Sequence, residues 1–98
     1  MSRDDILDIL REKKQYLRDE FHIVKIGLFG SYAKLEQKDD SDIDLLIDIE
    51  EGAKDIYDLK LSLKEYLSGI LGKKVDLARE KYLKPYVKDR ILKDVVYV

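Results

Sequence analysis

Apolar residues at the start of the chain recur at helical spacing and then switch to strict alternation, and that change of period sets the expected architecture. Ile6, Leu10, Leu17 and Phe21 fall on one side of a 3.6-residue repeat, while Arg11, Glu12, Lys13 and Arg18 lie largely on the wet side. Ser2 followed by Asp5 supplies an N-cap and its reciprocal partner, so a helix opens there. From 23 to 29, Val24, Ile26 and Leu28 alternate with Lys25 and Gly27, which predicts a strand ending at Gly30. Ser31 is then expected to cap a short helix carrying Tyr32, Ala33 and Leu35.

Glu36 to Asp40 is a polar turn. A second strand over 42–49 sets Ile43, Leu45, Ile47 and Ile49 on one face and Asp42, Asp44, Leu46 and Asp48 on the other. Ile56, Leu59, Leu63, Tyr66, Leu67 and Ile70 predict an amphipathic helix over 54–69, with Gly72 as its stop and a third strand over 74–78. Pro85 suits the first turn of a last helix, whose expected buried stripe is Val87, Ile91 and Val95. The predicted order is helix, strand, short helix, strand, helix, strand, helix. That order describes a single α/β domain over residues 1–98, a small mixed β-sheet with flanking helices.

Composition narrows the partners. Lys and Arg total 19 against 21 Asp and Glu, a net charge of −2, which is a poor footprint for direct nucleic-acid binding. A protein partner, or an anionic ligand reached through metal, fits better. No cysteine is present, so disulfides and thiolate metal sites are excluded. No signal-like or membrane-spanning apolar run occurs, and the expected location is the cytoplasm. A charged fraction of 41%, with no Asn, follows the trend of heat-adapted proteins.

The candidate chemistry lies in Gly30-Ser31, Asp42, Asp44 and Asp76. Alternation places Asp42 and Asp44 on the same face, where two carboxylates repel unless a cation sits between them. Mg²⁺ favours carboxylate oxygens supplemented by substrate phosphates and water, and Asp76 on the next strand could complete the set. Two such ions suit in-line phosphoryl displacement. Gly30 allows close approach of backbone to a triphosphate at a helix start, Ser31 can donate to a phosphate oxygen, and Lys34 adds a charge-assisted contact. Each feature alone has an ordinary explanation, as a solvated strand face, a strand-to-helix turn or a surface carboxylate; it is their combination that points to catalysis.

Other candidates carry less. His22 has no motif partner, and the seven tyrosines lack the interleaved basic pattern of single-strand binding. Lys81, Lys84, Lys88 and Arg90 make the last helix locally basic, for which a solvated face is the commoner outcome and a phosphate or partner contact the sharper one.

The run Gly27-Leu-Phe-Gly-Ser-Tyr-Ala-Lys34, followed by Ser41-Asp-Ile-Asp-Leu-Leu-Ile47, closely resembles the minimal nucleotidyltransferases of the DNA polymerase beta-like superfamily. The likeness extends through Lys74-Val75-Asp76-Leu77 and Leu83-Lys84-Pro85-Tyr86 to Val98. It implies the polymerase beta-like fold, Asp42, Asp44 and Asp76 as Mg²⁺ ligands, and Gly30 and Ser31 as holders of the ATP triphosphate. It also implies an antitoxin that transfers AMP from ATP to a tyrosine of a HEPN-domain toxin. The chain departs from the family at Lys34-Leu35, where many members carry Arg-Gly, so bidentate phosphate contact is lost and the loop is expected to narrow. That departure motivates an alternative, an antitoxin that neutralises by occluding its partner. Transfer to a small molecule such as an aminoglycoside is a third reading, and it usually needs a further domain.

Overall fold

The computed structural model describes residues 1–98 and has the elements α1 (Arg3–Phe21), β1 (Ile23–Phe29), α2 (Gly30–Ala33), β2 (Ile43–Ile49), α3 (Ile56–Leu71), β3 (Val75–Arg79), α4 (Pro85–Leu92) and β4 (Val96–Tyr97). A single 3-10 turn, Glu80–Tyr82, follows β3. The strands form one mixed sheet in the order β3-β2-β1-β4. β2 runs antiparallel to β1 and parallel to β3, the latter through the crossover helix α3.

Local signals account for most of these boundaries. The Ser2 hydroxyl accepts from the Asp5 N–H at 3.1 Å, and the Asp5 carboxylate accepts from the Ser2 N–H at 2.9 Å, closing a capping box on α1. Gly72 ends α3 in the left-handed region. Alternation in β2 is as expected: Ile43, Leu45, Ile47 and Ile49 are all buried and meet Ile6, Leu10 and Leu17 of α1 and Leu63, Leu67 and Leu71 of α3 in one core. Each such side chain removed from water contributes about 1.5–3 kcal/mol against chain entropy. Leu46 is buried as well, but on the opposite face, between Gly27 of β1 and Ala78 of β3.

Four expectations need correction. In β1 a bulge between Ile23 and Lys25 shifts the register, so Ile23 enters the core and Val24, expected on the core face, is 45% exposed. Ser31 does not cap α2. The N-cap position is Phe29, with no side-chain cap bond, and Gly30 is the first helical residue. Val87, Ile91 and Val95 are only half-buried, and α4 buries no residue fully. Finally, a fourth strand follows α4. At two residues it is too short to show a period, and its pairing with Gly27 and Leu28 is a tertiary event.

Gly27 explains how β4 is admitted. A Cβ there would stand 2.7 Å from Val95 Cγ2 and 2.8 Å from Tyr97 Cδ1, inside contact distance. The edge is pinned by the Tyr97 hydroxyl, which donates to Glu80 Oε1 at 2.8 Å, and by Lys25 Nζ, which donates to Glu80 Oε2 at 3.0 Å. Those two bonds hold the Glu80 carboxyl below the usual carboxylate range. Gly27→Ala is expected to lower unfolding stability by about 1–3 kcal/mol through overpacking, measured by urea denaturation.

Candidate active site

Strand register assembles the site. Parallel pairing sets Asp44 opposite Asp76, and antiparallel pairing sets Phe29 opposite Asp44, so one row runs across β3, β2 and the end of β1. Asp42 lies two residues before Asp44, just ahead of the strand, and alternation directs it to the same face. Gly30 follows Phe29 with φ +75°. A Cβ on Gly30 would collide with the Asp44 carboxylate, with Cγ at 3.0 Å and Cβ at 3.1 Å. Glycine is therefore required twice here, for its left-handed backbone and for its lack of a side chain.

The electrostatics follow from that crowding. Burial, and then the neighbouring Asp76 and Asp42, push the Asp44 carboxyl above the usual carboxylate range. The outer two carboxylates have loose counter-ions: Asp76 Oδ1 lies 3.9 Å from Lys64 Nζ, and Asp42 Oδ2 lies 3.7 Å from Lys74 Nζ. Asp44 between them has neither an ion pair nor a hydrogen bond. No three acidic or imidazole side chains are gathered as a ready-made metal cage. An all-oxygen donor set with an unpaired, half-buried member is nevertheless the chemistry that a hard divalent cation takes.

The turn after α2 is built as a Schellman motif. Glu36 N–H donates to Ser31 O at 2.8 Å and Leu35 N–H donates to Tyr32 O at 3.3 Å. Leu35 sits at φ +61°, the position where such motifs prefer glycine. Its side chain is 62% exposed and does not line the adjoining groove, so it does not narrow the loop as expected. The departure at Leu35 costs backbone strain instead. The Ser31 hydroxyl has no hydrogen-bond partner within the chain, whereas the Ser41 hydroxyl accepts from the Lys38 N–H at 2.8 Å and shapes the turn before β2.

A groove of about 220 Å³ opens beside Gly30 and is lined by Lys34 from the end of α2 and by Val87, Arg90, Ile91 and Asp94 from and after α4. A matching groove lies on the far side of Asp44, between α3 and β3, with Asp76 in its wall.

Comparison with known proteins assigns the family and the fold. Residues 8–98 match the nucleotidyltransferase domain family. The chain belongs to that family. It is 40% identical over 98 residues to the protein adenylyltransferase MntA of Thermococcus cleftensis, covering 100% of this chain and 97% of that one. A solved minimal nucleotidyltransferase, provisionally so described, superposes with a TM-score of 0.79 at 33% identity, over 98% of this chain and 95% of that chain. The fold is shared with a complex of a tri-AMPylated Shewanella oneidensis HEPN toxin and MNT antitoxin, with a TM-score of 0.65 at 20% identity over 94% of this chain and 70% of that one.

Nucleotidyltransferases of this superfamily generally use ATP and depend on magnesium. Within this one, the structure brings Asp44, Asp76 and Gly30 into one row, with Asp42 beside them and Ser31 and Lys34 in the following turn. Arg90 is the residue that sequence reasoning left among a basic run. Only the fold separates it from Lys81, Lys84 and Lys88, none of which lines the groove with Lys34.

Two outcomes are expected. Because the folded-state Asp44 carboxyl titrates above its unfolded value, the contribution of Asp44 itself to stability falls as pH rises through the usual carboxylate range to its raised folded-state value. Asp44→Asn should therefore melt higher than wild type at pH 7 in metal-free buffer, the gap closing at pH below that range and narrowing when Mg²⁺ is added. Leu35→Gly should raise stability by about 0.5–1 kcal/mol in chemical denaturation, the left-handed cost less the extra chain entropy of glycine.

Proposed function

We propose that this chain acts as one nucleotidyltransferase domain over residues 1–98, a protein adenylyltransferase and antitoxin. It transfers AMP from ATP to a tyrosine of a HEPN-domain toxin and thereby neutralises it. The observation that carries the reading is the row Gly30–Asp44–Asp76, a crowded carboxylate pair with a glycine backbone pressed against it. Support for the protein acceptor comes from the full-length likeness to a protein adenylyltransferase and the shared fold with the AMPylated toxin complex. No helix is long and apolar enough to cross a membrane; we place the enzyme in the cytoplasm, acting on protein rather than nucleic acid.

Asp42, Asp44 and Asp76 are the proposed Mg²⁺ ligands, most simply for two ions. Bound magnesium would supply charge neutralisation at the triphosphate and a lower pKa for the acceptor hydroxyl. Gly30 lets the backbone come close to the phosphates, Ser31 offers a free hydroxyl, and Lys34 adds a cation on the same side. The acceptor phenolic oxygen forms a bond to the α-phosphorus as the bond from that phosphorus to pyrophosphate breaks, and the phenolic proton passes to Asp76. These residues fix orientation, which is most of what phosphoryl transfer asks of a protein.

Incubation with ATP labelled at the α-phosphate, Mg²⁺ and a cognate HEPN-domain protein should label that protein. Chelation of metal should abolish the label, and Asp42→Asn or Asp44→Asn should slow it by roughly 10²–10⁴-fold, a loss of several kcal/mol of transition-state stabilisation. A partner that is neutralised without label, equally by wild type and by both variants, would establish occlusion instead.

A further inference from the structure

The groove beside Asp76 takes no part in holding phosphate in the reading above, yet its lining is that of a binding surface. It has a volume of about 300 Å³ and is walled by Tyr57, Lys60, Leu61, Lys64, Asp76 and Leu77. Tyr57 and Leu61 stand one helical turn apart on α3 and are 77% and 52% exposed, so they present adjoining apolar surface in one groove. Lys60 and Lys64 share the same turn spacing. Lys60 has no ion pair, and Lys64 has only its loose 3.9 Å contact with Asp76.

Sheet order decides what can occupy this groove. Asp76 on β3 lies on one side of Asp44, and Gly30, at the end of β1, lies on the other. In an in-line displacement the entering and leaving oxygens sit on opposite sides of phosphorus. With pyrophosphate held on the Gly30 and Lys34 side, the acceptor must enter from the Asp76 side, where this groove opens.

We infer that the groove is the docking surface for the acceptor protein, and that it takes a tyrosine-bearing segment with acidic flanks. The inference rests on the protein adenylyltransferase reading and extends it to acceptor choice. Tyr57 and Leu61 supply the apolar contact for the acceptor ring and backbone. Lys60 and Lys64 attract the flanking carboxylates and repel basic segments, overcoming locally the acidity of the neighbouring site. The phenolic oxygen is thereby delivered to Asp76, where its bond to the α-phosphorus forms, pyrophosphate leaves and the carboxylate takes the proton.

The test uses the full chain with Mg²⁺ and AMP-PNP and two fluorescent pentapeptides, one with tyrosine between acidic pairs and one with tyrosine between lysine pairs. Anisotropy should show the acidic peptide bound at least about tenfold more tightly. Lys60→Glu should reduce or invert that preference, and the double variant Tyr57→Ala, Leu61→Ala should weaken the acidic peptide about tenfold. AMP-PNP affinity should be unchanged in both variants. Equal affinity for the two peptides, bound or unbound alike, overturns the proposal, as does a loss of AMP-PNP affinity matching the loss of peptide, which would place the nucleoside in the groove. Replacing AMP-PNP with labelled ATP separates the two levels. Label transfer without peptide preference sinks only the docking surface, whereas tight acidic-peptide binding with no transfer to any tyrosine-bearing acceptor sinks the adenylyl reading beneath it.

Discussion

A half-buried carboxylate without a counter-ion is a costly thing to keep, and Asp44 is kept in that condition by everything around it. Burial and two like charges raise its pKa, while Lys64 and Lys74 reach only the outer acids. Hydrogen-bonding a carboxylate to a backbone N–H or pairing it with arginine would relieve it, and neither occurs. The folded chain thus carries an electrostatic debt that a divalent cation would cancel, the pattern expected where charge is assembled for chemistry rather than for stability.

Strand β2 makes this arrangement affordable in packing terms. Its even turn of side chains sends Ile43, Leu45, Ile47 and Ile49 into the core, so the same seven residues that present acid on one face anchor the sheet on the other. Neighbouring strands then add their parts by pairing alone: β3 brings Asp76 level with Asp44, and β1 ends where Gly30 must turn. The carboxylate row is a by-product of register, with α1 and the apolar side of α3 packed on the opposite face of the sheet.

Much of this was legible from residue order. Alternation in 42–49 is strong because every odd position is Ile or Leu, and the capping box at Ser2 and the stop at Gly72 are local chemistry. The rest depended on contacts that local pattern does not encode. The bulge that expels Val24 arises from pairing between β1 and β2. The strand at Val96 exists because Gly27 leaves room for Val95 and Tyr97. Arg90 looks like its basic neighbours until α4 is placed beside Gly30, and Leu35 looks like an obstruction until its backbone angle shows a strained turn with the side chain outside. Gly30, Asp44 and Asp76 were readable as a set, but that the glycine lies against the acid, and that the flanking acids rest on lysines, came only from the fold.

The alternation in β2 also limits how this stretch of chain can change. Substitution in place alters one face at a time, but gaining or losing a single residue between Ile43 and Ile49 would rotate the downstream side chains half a turn. Isoleucines would then meet solvent and aspartates would enter the core, unfolding and inactivating the molecule together. Length variation should consequently be absent from Ile43–Ile49, leaving the acidic strand with a fixed reading frame.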